Sequence, residues 1–192
     1  MHSRPLATVA VLLACALAVA GCNGDDPAPT TSSSSTSTPS PSVSGSPEPS
    51  PTKALTPAEQ DLRSAGEAVT QYWRVIDEVA SDPAVSLNVL ATVARAQALE
   101  QWQTTLAEFR TKQWKQVGAS TVRGLVPSTA DGEFFTVTAC VDVSDLDVVD
   151  GDGKSVVVVS RPAQQQFTYQ VVKAAEGFFV TQDTLEGRPC AA

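Results

Sequence analysis

Few side chains in this sequence have the chemistry that catalysis needs. The one histidine is His2, in an N-terminal stretch that we expect to be removed, so we expect neither a histidine-based triad nor a zinc site in the mature chain. No serine lies in a nucleophile-elbow pattern. Carboxylates and tyrosines remain, and these can divide acid and base roles where an apolar site separates their pKa values. The candidates are Tyr72, Asp77 and Tyr169.

These candidates do not point to one site. Tyr72 and Asp77 are five residues apart on a predicted helix, which places them about 140° apart around its axis. Tyr169 shares a strand face with Phe167 and Val171, a pattern typical of a core or a pocket wall. We therefore expect no catalytic residue. Five aromatic residues are candidates for lining a ligand pocket, with core packing as the alternative: Tyr72, Trp73, Trp102, Phe109 and Tyr169.

The acidic stretch 142–153 (DVSDLDVVDGDG) carries the oxygen ligands that calcium prefers. An EF-hand loop needs such ligands at positions 1, 3 and 5, glycine at position 6 and glutamate at position 12. A loop starting at Asp150 would have Lys154 at position 5, and one starting at Asp147 would have Val149 at position 3. Both registers fail. We expect a solvated hairpin loop here, with no metal and no cofactor.

The N-terminus has the pattern of an export signal. A short positive start, MHSRP, precedes an apolar run of 15 residues, LATVAVLLACALAVA. That run is shorter than the roughly 20 residues that span a bilayer. The sequence Val19-Ala20-Gly21-Cys22 resembles the lipobox of bacterial lipoproteins. The resemblance implies that residues 1–21 are removed, that Cys22 is diacylated, and that the protein is anchored to the outer face of the cell membrane.

The remaining cysteines fit this address. The sequence has four cysteines; Cys15 leaves with the signal and Cys22 takes the lipid. Cys140 and Cys190 are left, in a domain that folds where disulfides persist. They have no spacing typical of a metal site, so we predict that they pair with each other.

Residues 22–54 are predicted to be a disordered tether. They are rich in Ser, Thr and Pro and carry almost no apolar side chains that burial could use to offset the entropy of ordering. In extended polyproline-like form, residues 23–52 of this tether reach at most about 90 Å. The high content of Ser and Thr also permits O-glycosylation, although we favour an unmodified tether. The folded domain is then expected over residues 55–192.

Net charge restricts the partners. The formal net charge is −8, whereas binding to nucleic acid or to an anionic membrane surface needs clustered Lys and Arg. We expect no nucleic-acid partner. The lipid on Cys22 supplies the contact with the membrane.

Helical patterns come first in the domain. Thr56, Pro57 and Glu59 form a helix start, with a threonine cap, a proline in the first turn and a glutamate three residues after the cap. Apolar residues then recur at helical spacing, and the helix should end near residues 81–83. A short helix is predicted from Leu87 to about Ala94, and a third is predicted to end near residues 117–118.

Strand patterns follow the helices. Alternating residues predict strands at 120–126, ended by Pro127, and at 134–143, with a turn at Asp131-Gly132 between them. The loop 150–154 and a valine run come next, before strands at 165–174 and 178–185. Helices followed by antiparallel strands indicate an α+β domain in which N-terminal helices pack on one face of a curved antiparallel sheet.

This order resembles the nuclear transport factor 2-like (SnoaL-like) cone fold, also called cystatin-like, over roughly residues 57–186. The resemblance rests on the Tyr72-Trp73 pair, on the short second helix before a longer third helix, and on the long final strands. More closely, the chain resembles small actinobacterial lipoproteins with such a domain. In these, a cysteine on a middle strand, such as Cys140 (TACVDVS), is matched by one near the C-terminus, such as Cys190 (EGRPC).

Three functions remain open on these residues, of which the last is a purely structural or immunity-type surface protein. The first is a non-catalytic binding or accessory domain for a protein, a wall component or a small apolar ligand. The alternative is a small cone-fold isomerase, cyclase or hydrolase that uses carboxylates in its cavity. The second function would need an inward-facing Asp or Glu on the first or third helix, where the predicted stripes are apolar.

Overall fold

The first helix begins and ends where the sequence predicts. The computed structural model describes residues 54–190, and in it helix α1 runs Pro57–Ser81. The Thr56 hydroxyl accepts a hydrogen bond from the Glu59 amide at 3.3 Å, and the Glu59 carboxylate accepts one from the Thr56 amide at 2.7 Å. This reciprocal capping box satisfies two amides at the helix start. The predicted lipidation site Cys22, the predicted signal and the predicted tether through residue 53 lie outside the described residues.

The third predicted helix ends earlier than expected. A 3-10 helix, Leu87–Thr92, precedes helix α2, Ala96–Thr111. Instead of continuing to residue 117, the chain turns at Gln113, which has a left-handed φ of 56°. The Trp114 amide donates to the Phe109 carbonyl, and the two rings pack edge-on with centroids 5.8 Å apart. This local contact ends the helix.

The residues after this turn form strands. Strand β1, Lys115–Val117, pairs with β4, Asp147–Val149, as a separate two-stranded sheet. The valine run 156–159 lies outside both sheets, and Val158 and Val159 are exposed. The four-stranded antiparallel sheet has the order β2-β3-β5-β6. Its strands are β2, Thr121–Thr129, β3, Phe134–Asp142, β5, Gln164–Ala174, and β6, Gly177–Leu185.

The prediction that Pro127 ends its strand is wrong, because β2 continues through it to Thr129. Proline cannot donate to a ladder, but β2 is at the edge of the sheet, where a strand tolerates proline. The predicted turn at 131–132 is present. There the Asp131 carboxylate accepts hydrogen bonds from the amides of Glu133 and Phe134, both at 2.9 Å.

The core lies between the helices and one face of the sheet. Alternate residues of β3 are buried, and they face buried residues of α1 such as Val69 and Ile76. Burying each large apolar side chain contributes about 1.5–3 kcal/mol. The structure therefore confirms the predicted class, an α+β domain with helices packed on an antiparallel sheet. Among the described residues, no helix is long and apolar enough to span a membrane.

The structure supports the predicted disulfide. Cys140, near the end of β3, is bonded to Cys190, and their Cα atoms are 5.5 Å apart. This distance is usual for a disulfide. The Glu186 amide donates to the Gln166 carbonyl at 2.9 Å, so the tail is also hydrogen-bonded to β5 before it reaches the disulfide.

Candidate functional site at a buried carboxylate

The interior contains a carboxylate that the sequence patterns do not reveal. Asp183 of β6 is 5% exposed. Its Oδ2 accepts a hydrogen bond from the Tyr72 hydroxyl at 2.7 Å and another from Trp102 Nε1 at 3.0 Å. Its Oδ1 has no hydrogen-bond partner among the described residues. A buried acceptor without a partner is costly and needs an explanation.

Aromatic rings surround this carboxylate. Trp73 Nε1 donates to the Tyr169 hydroxyl at 2.7 Å, and Tyr169 is directly opposite Asp183 in the β5–β6 ladder. The ring centroids of Tyr72 and Tyr169 are 6.2 Å apart, and those of Trp73 and Trp102 are 5.6 Å apart. Edge-to-face pairs of this kind stabilise beyond the area that they bury. We call Tyr72, Trp73, Trp102, Tyr169 and Asp183 the interior cluster.

Four elements, α1, α2, β5 and β6, position the interior cluster. Tyr72 and Trp73 are neighbours on α1 and are about 100° apart around the helix, so both reach inward but to different partners. Trp102 reaches the carboxylate from α2. The start of α2 is fixed to β6, because Gln97 Oε1 accepts a hydrogen bond from the Asp183 amide at 3.0 Å. The preceding residue, Ala96, has a left-handed φ of 47°.

A β-bulge explains why Asp183 faces inward. Strict alternation would bury residues an even number apart, yet Val180 and Asp183 are both buried and are three apart. The register shifts between Gln170 and Val171, where the facing strand has Thr181 as an extra residue. The only sequence signal is an aspartate within an otherwise apolar and neutral strand.

Both tyrosines of the cluster stay protonated at neutral pH. Burial raises the pKa of Tyr72 far above its ordinary value, and the nearby Asp183 raises it further. Burial likewise raises the pKa of Tyr169, although the hydrogen bond from Trp73 lowers it in part. Neither phenol releases a proton near neutrality. The arrangement offers one carboxylate, two neutral hydroxyls and no second acid.

These shifts predict a loss of stability in alkali. Tyr72 and Tyr169 are the two tyrosines of the sequence, and both stay protonated in the folded state while the unfolded chain ionises near pH 10. The unfolded state then binds fewer protons, so stability is present below pH 10 and falls by about 2.7 kcal/mol per pH unit above it. Ultraviolet absorbance should show tyrosinate appearing only together with unfolding.

Tyr72→Phe is the control for this alkaline transition. It removes one of the two protons, so the slope of unfolding free energy against pH should fall by half. Gradual tyrosinate formation near pH 10 in a protein that keeps its far-ultraviolet circular dichroism would contradict the buried assignment.

The predicted site residues separate into two groups. Tyr72, Trp73, Trp102 and Tyr169 meet in the interior cluster, whereas Phe109 packs on Trp114 elsewhere. As expected, Asp77 does not converge with Tyr72. Its carboxylate accepts hydrogen bonds from Gln116 Nε2 at 2.7 Å and from the Ser120 amide at 3.0 Å, which ties α1 to the β1–β2 segment.

The acidic loop uses its carboxylates to order its own backbone. Asp142 accepts hydrogen bonds from the hydroxyl and amide of Ser144, which lower its pKa. Asp150 accepts from the amides of Asp152 and Lys154 at 3.0 and 2.9 Å. Over residues 54–190, no group of three His, Cys, Asp or Glu side chains is arranged to hold a metal ion.

Several hollows lie on the surface of the described part of the chain. One of about 250 Å³ is formed where the C-terminal tail passes the β5 start, between Pro162, Leu185 and Pro189. Two others lie on the outer face of the four-stranded sheet. The cluster residues Tyr72 and Tyr169 are completely buried, so they form core rather than the wall of an open pocket.

Known proteins resemble this chain in their fold. No family model matches the chain, and no curated protein matches it. The intermembrane space region of chloroplast protein ARC6 is similar with a TM-score of 0.50 at 17% identity, covering 65% of this chain and 95% of that one.

Two bacterial structures are similar at lower scores. A Novosphingobium aromaticivorans protein, provisionally named an aromatic ring hydroxylase, has a TM-score of 0.49 at 13% identity, covering 66% of this chain and 87% of its own. A Nostoc punctiforme protein of unknown function with a cystatin-like fold has 0.41 at 10% identity, covering 69% and 93%. At these identities the likeness describes a shared α+β fold and assigns no activity.

Proposed function

We propose that this protein is exported, anchored to the outer face of the cell membrane through a lipid on Cys22, and works by binding a partner. The lipobox-like residues 19–22 and the Ser/Thr/Pro-rich tract support the address. The disulfide between Cys140 and Cys190 also supports it, because such bonds persist outside the cytoplasm. Residues 55–192 would then be the binding domain at the end of the tether.

The isolation of Asp183 is the observation that carries binding over catalysis. Acid–base chemistry by carboxylates needs two groups that share a site and split their pKa values. The buried carboxylates of the described residues are Asp142 and Asp183. Asp142 is occupied by Ser144 and by Gln164, whose Nε2 donates to it at 3.1 Å. Asp183 therefore acts as a hydrogen-bonding centre that joins α1, α2 and β6.

A second candidate function is a small cone-fold enzyme of the isomerase, cyclase or hydrolase type. The observation that favours it is the unpartnered Oδ1 of Asp183, which could accept a proton or a donor from a substrate that opened the cluster. The neutral Tyr72 hydroxyl beside it is a suitable hydrogen-bond donor to a developing oxyanion. Such an enzyme would use one carboxylate and one tyrosine.

A crosslinking pull-down of the full lipidated protein from its native membrane tests the binding function. The matched control keeps the anchor and tether but lacks residues 55–192, and a second arm carries Asp183→Asn. We expect a partner that depends on the domain and is captured equally by the Asn variant. If the variant without the domain captures the same partner, the binding function is wrong. An enzymatic turnover by the wild-type protein that disappears in Asp183→Asn would also contradict it.

Replacing Cys22 with serine tests the anchor. Since the acyl chains would attach to the Cys22 thiol, we expect Cys22→Ser to block processing of the precursor or to release the chain into the medium. Fractionation followed by intact-mass analysis distinguishes these products. The control is Cys15→Ser, which leaves the lipobox-like sequence intact and should not change the location. A free Cys22 thiol on membrane-bound wild-type protein would contradict the proposal.

A further inference from the structure

The outer face of the four-stranded sheet, which is the face opposite the helices, is uncharged across its middle. Cross-strand pairs there join Thr138 to Thr168, Gln170 to Gln182, and Ser128 to Thr136. The formal net charge of the chain is −8, whereas none of these six side chains carries a charge. The side chains on this face are Arg123, which is opposite Cys140 and carries a charge on the edge strand, and then Val126, Ser128, Phe134, Thr136, Thr138, Cys140, Gln166, Thr168, Gln170, Val172, Gln182 and Thr184.

Several of these polar groups are free to bind a ligand. The side chains of Thr138, Thr168 and Gln166 make no hydrogen bond to any other residue of the range 54–190. A threonine hydroxyl or a glutamine amide both donates and accepts, as a sugar hydroxyl does. Because same-face residues on a strand are about 6.8 Å apart and strands about 4.8 Å apart, these groups form a regular two-dimensional array.

Two hollows lie side by side along β3 on this face. The larger, about 420 Å³, is lined by Ser128, Phe134, Thr136 and Gln170 among others. The smaller, about 160 Å³, is lined by Gly124, Thr138, Gln166 and the disulfide. Gly124 has a left-handed φ of 59° at the bulge of β2, and a Cβ there would meet open space. The missing side chain keeps this end of the face open.

The side chains of the face indicate which kind of ligand could bind there. Its large exposed apolar side chains are Val126 and Phe134, 61% and 57% exposed. Anionic polymers need clustered Lys and Arg, which the middle of the face lacks. An exposed aromatic ring beside rows of neutral hydrogen-bonding groups instead suits a ligand with apolar ring faces and many hydroxyls.

We propose that the outer face of the sheet binds a neutral polysaccharide, with Phe134 against a sugar ring and the Thr and Gln rows against its hydroxyls. This inference rests on the proposed function, which places the domain outside the cell at the end of its tether. The polymer would lie along β3 and occupy both hollows.

Affinity electrophoresis of the full mature chain, in gels that contain hydroxyethylcellulose, laminarin or arabinogalactan, tests this inference. Polygalacturonate serves as the charged comparison. We expect retardation by at least one neutral polymer, and a loss of affinity of about tenfold in Phe134→Ala/Gln170→Ala. The matched control, Thr104→Ala/Val159→Ala, changes one exposed polar and one exposed apolar residue elsewhere and should bind as the wild type does.

A conservative variant protects the test against unfolding. Thr138→Val/Thr168→Val keeps the shape and strand preference of both side chains and removes their hydroxyls, and we expect about fivefold weaker binding with an unchanged melting temperature. Retardation that none of the face variants alters would overturn the inference. So would light scattering that shows a dimer which Thr168→Lys dissociates, because the face would then pair two copies.

The pull-down and the affinity gels test the two proposals independently. If no neutral polymer retards the protein but the pull-down captures a domain-dependent partner, the polysaccharide inference is wrong and the binding function stands. If neither experiment gives a domain-dependent result, both proposals are wrong.

Discussion

Replacing both Cys140 and Cys190 with serine should lower the free energy of unfolding by about 4 kcal/mol. The disulfide closes a loop with a sequence separation of 50 residues, and releasing a loop of that size returns this much conformational entropy to the unfolded chain in the chain-entropy model. Typical domains have a stability of about 5–15 kcal/mol. The loss should therefore appear as a large shift of the urea midpoint.

Treatment with a reducing agent provides the control for the disulfide. Wild-type protein in dithiothreitol should reach the midpoint of the double variant, and the variant itself should not respond. Changing both cysteines avoids a free thiol that could pair between molecules. A wild-type protein whose midpoint is the same with and without dithiothreitol would show that the two cysteines do not constrain the chain.

The helix starts could be predicted because their causes are local. The capping box of α1 needs only Thr56 and Glu59, three residues apart. The end of α2 depends on Trp114 packing against Phe109 after a left-handed residue, and spacing alone does not show that contact. Apolar periodicity continued past the point where the chain turns, so it predicted a helix that was too long.

The site was predictable for the aromatic residues and not for the acid. Trp73 and Trp102 lie on helical faces that periodicity predicts to be buried, and Tyr169 alternates with polar neighbours on β5. Asp183 is brought inward by a bulge opposite Gln170, and such a register shift leaves no reliable mark in the sequence. An acid was expected on a helix if anywhere, and the structure places it on the last strand.

Replacing Asp183 with alanine should lower the free energy of unfolding by about 4 kcal/mol. The Tyr72 hydroxyl and the Trp102 indole both donate to its Oδ2, and each donor left buried without an acceptor costs about 1–3 kcal/mol. Asp183→Asn keeps an acceptor oxygen and should lose roughly half as much. The exposed Asp152→Ala is the matched control and should stay within about 0.5 kcal/mol of wild type.

A double-mutant cycle separates the Tyr72 contribution. Because Tyr72→Phe removes one donor, its effect should be much smaller in the Asp183→Ala background, with a coupling energy of about 1–3 kcal/mol measured by urea unfolding. Additive losses would show that the hydroxyl and the carboxylate do not interact.

The same variants distinguish the binding function from the enzymatic function. A carboxylate that holds three elements together gives a large stability loss and leaves partner capture by the Asn variant unchanged. If Asp183 is instead a catalytic carboxylate whose free Oδ1 is kept for a substrate, Asp183→Ala should cause only a small loss of stability. In that case Asp183→Asn should abolish the activity.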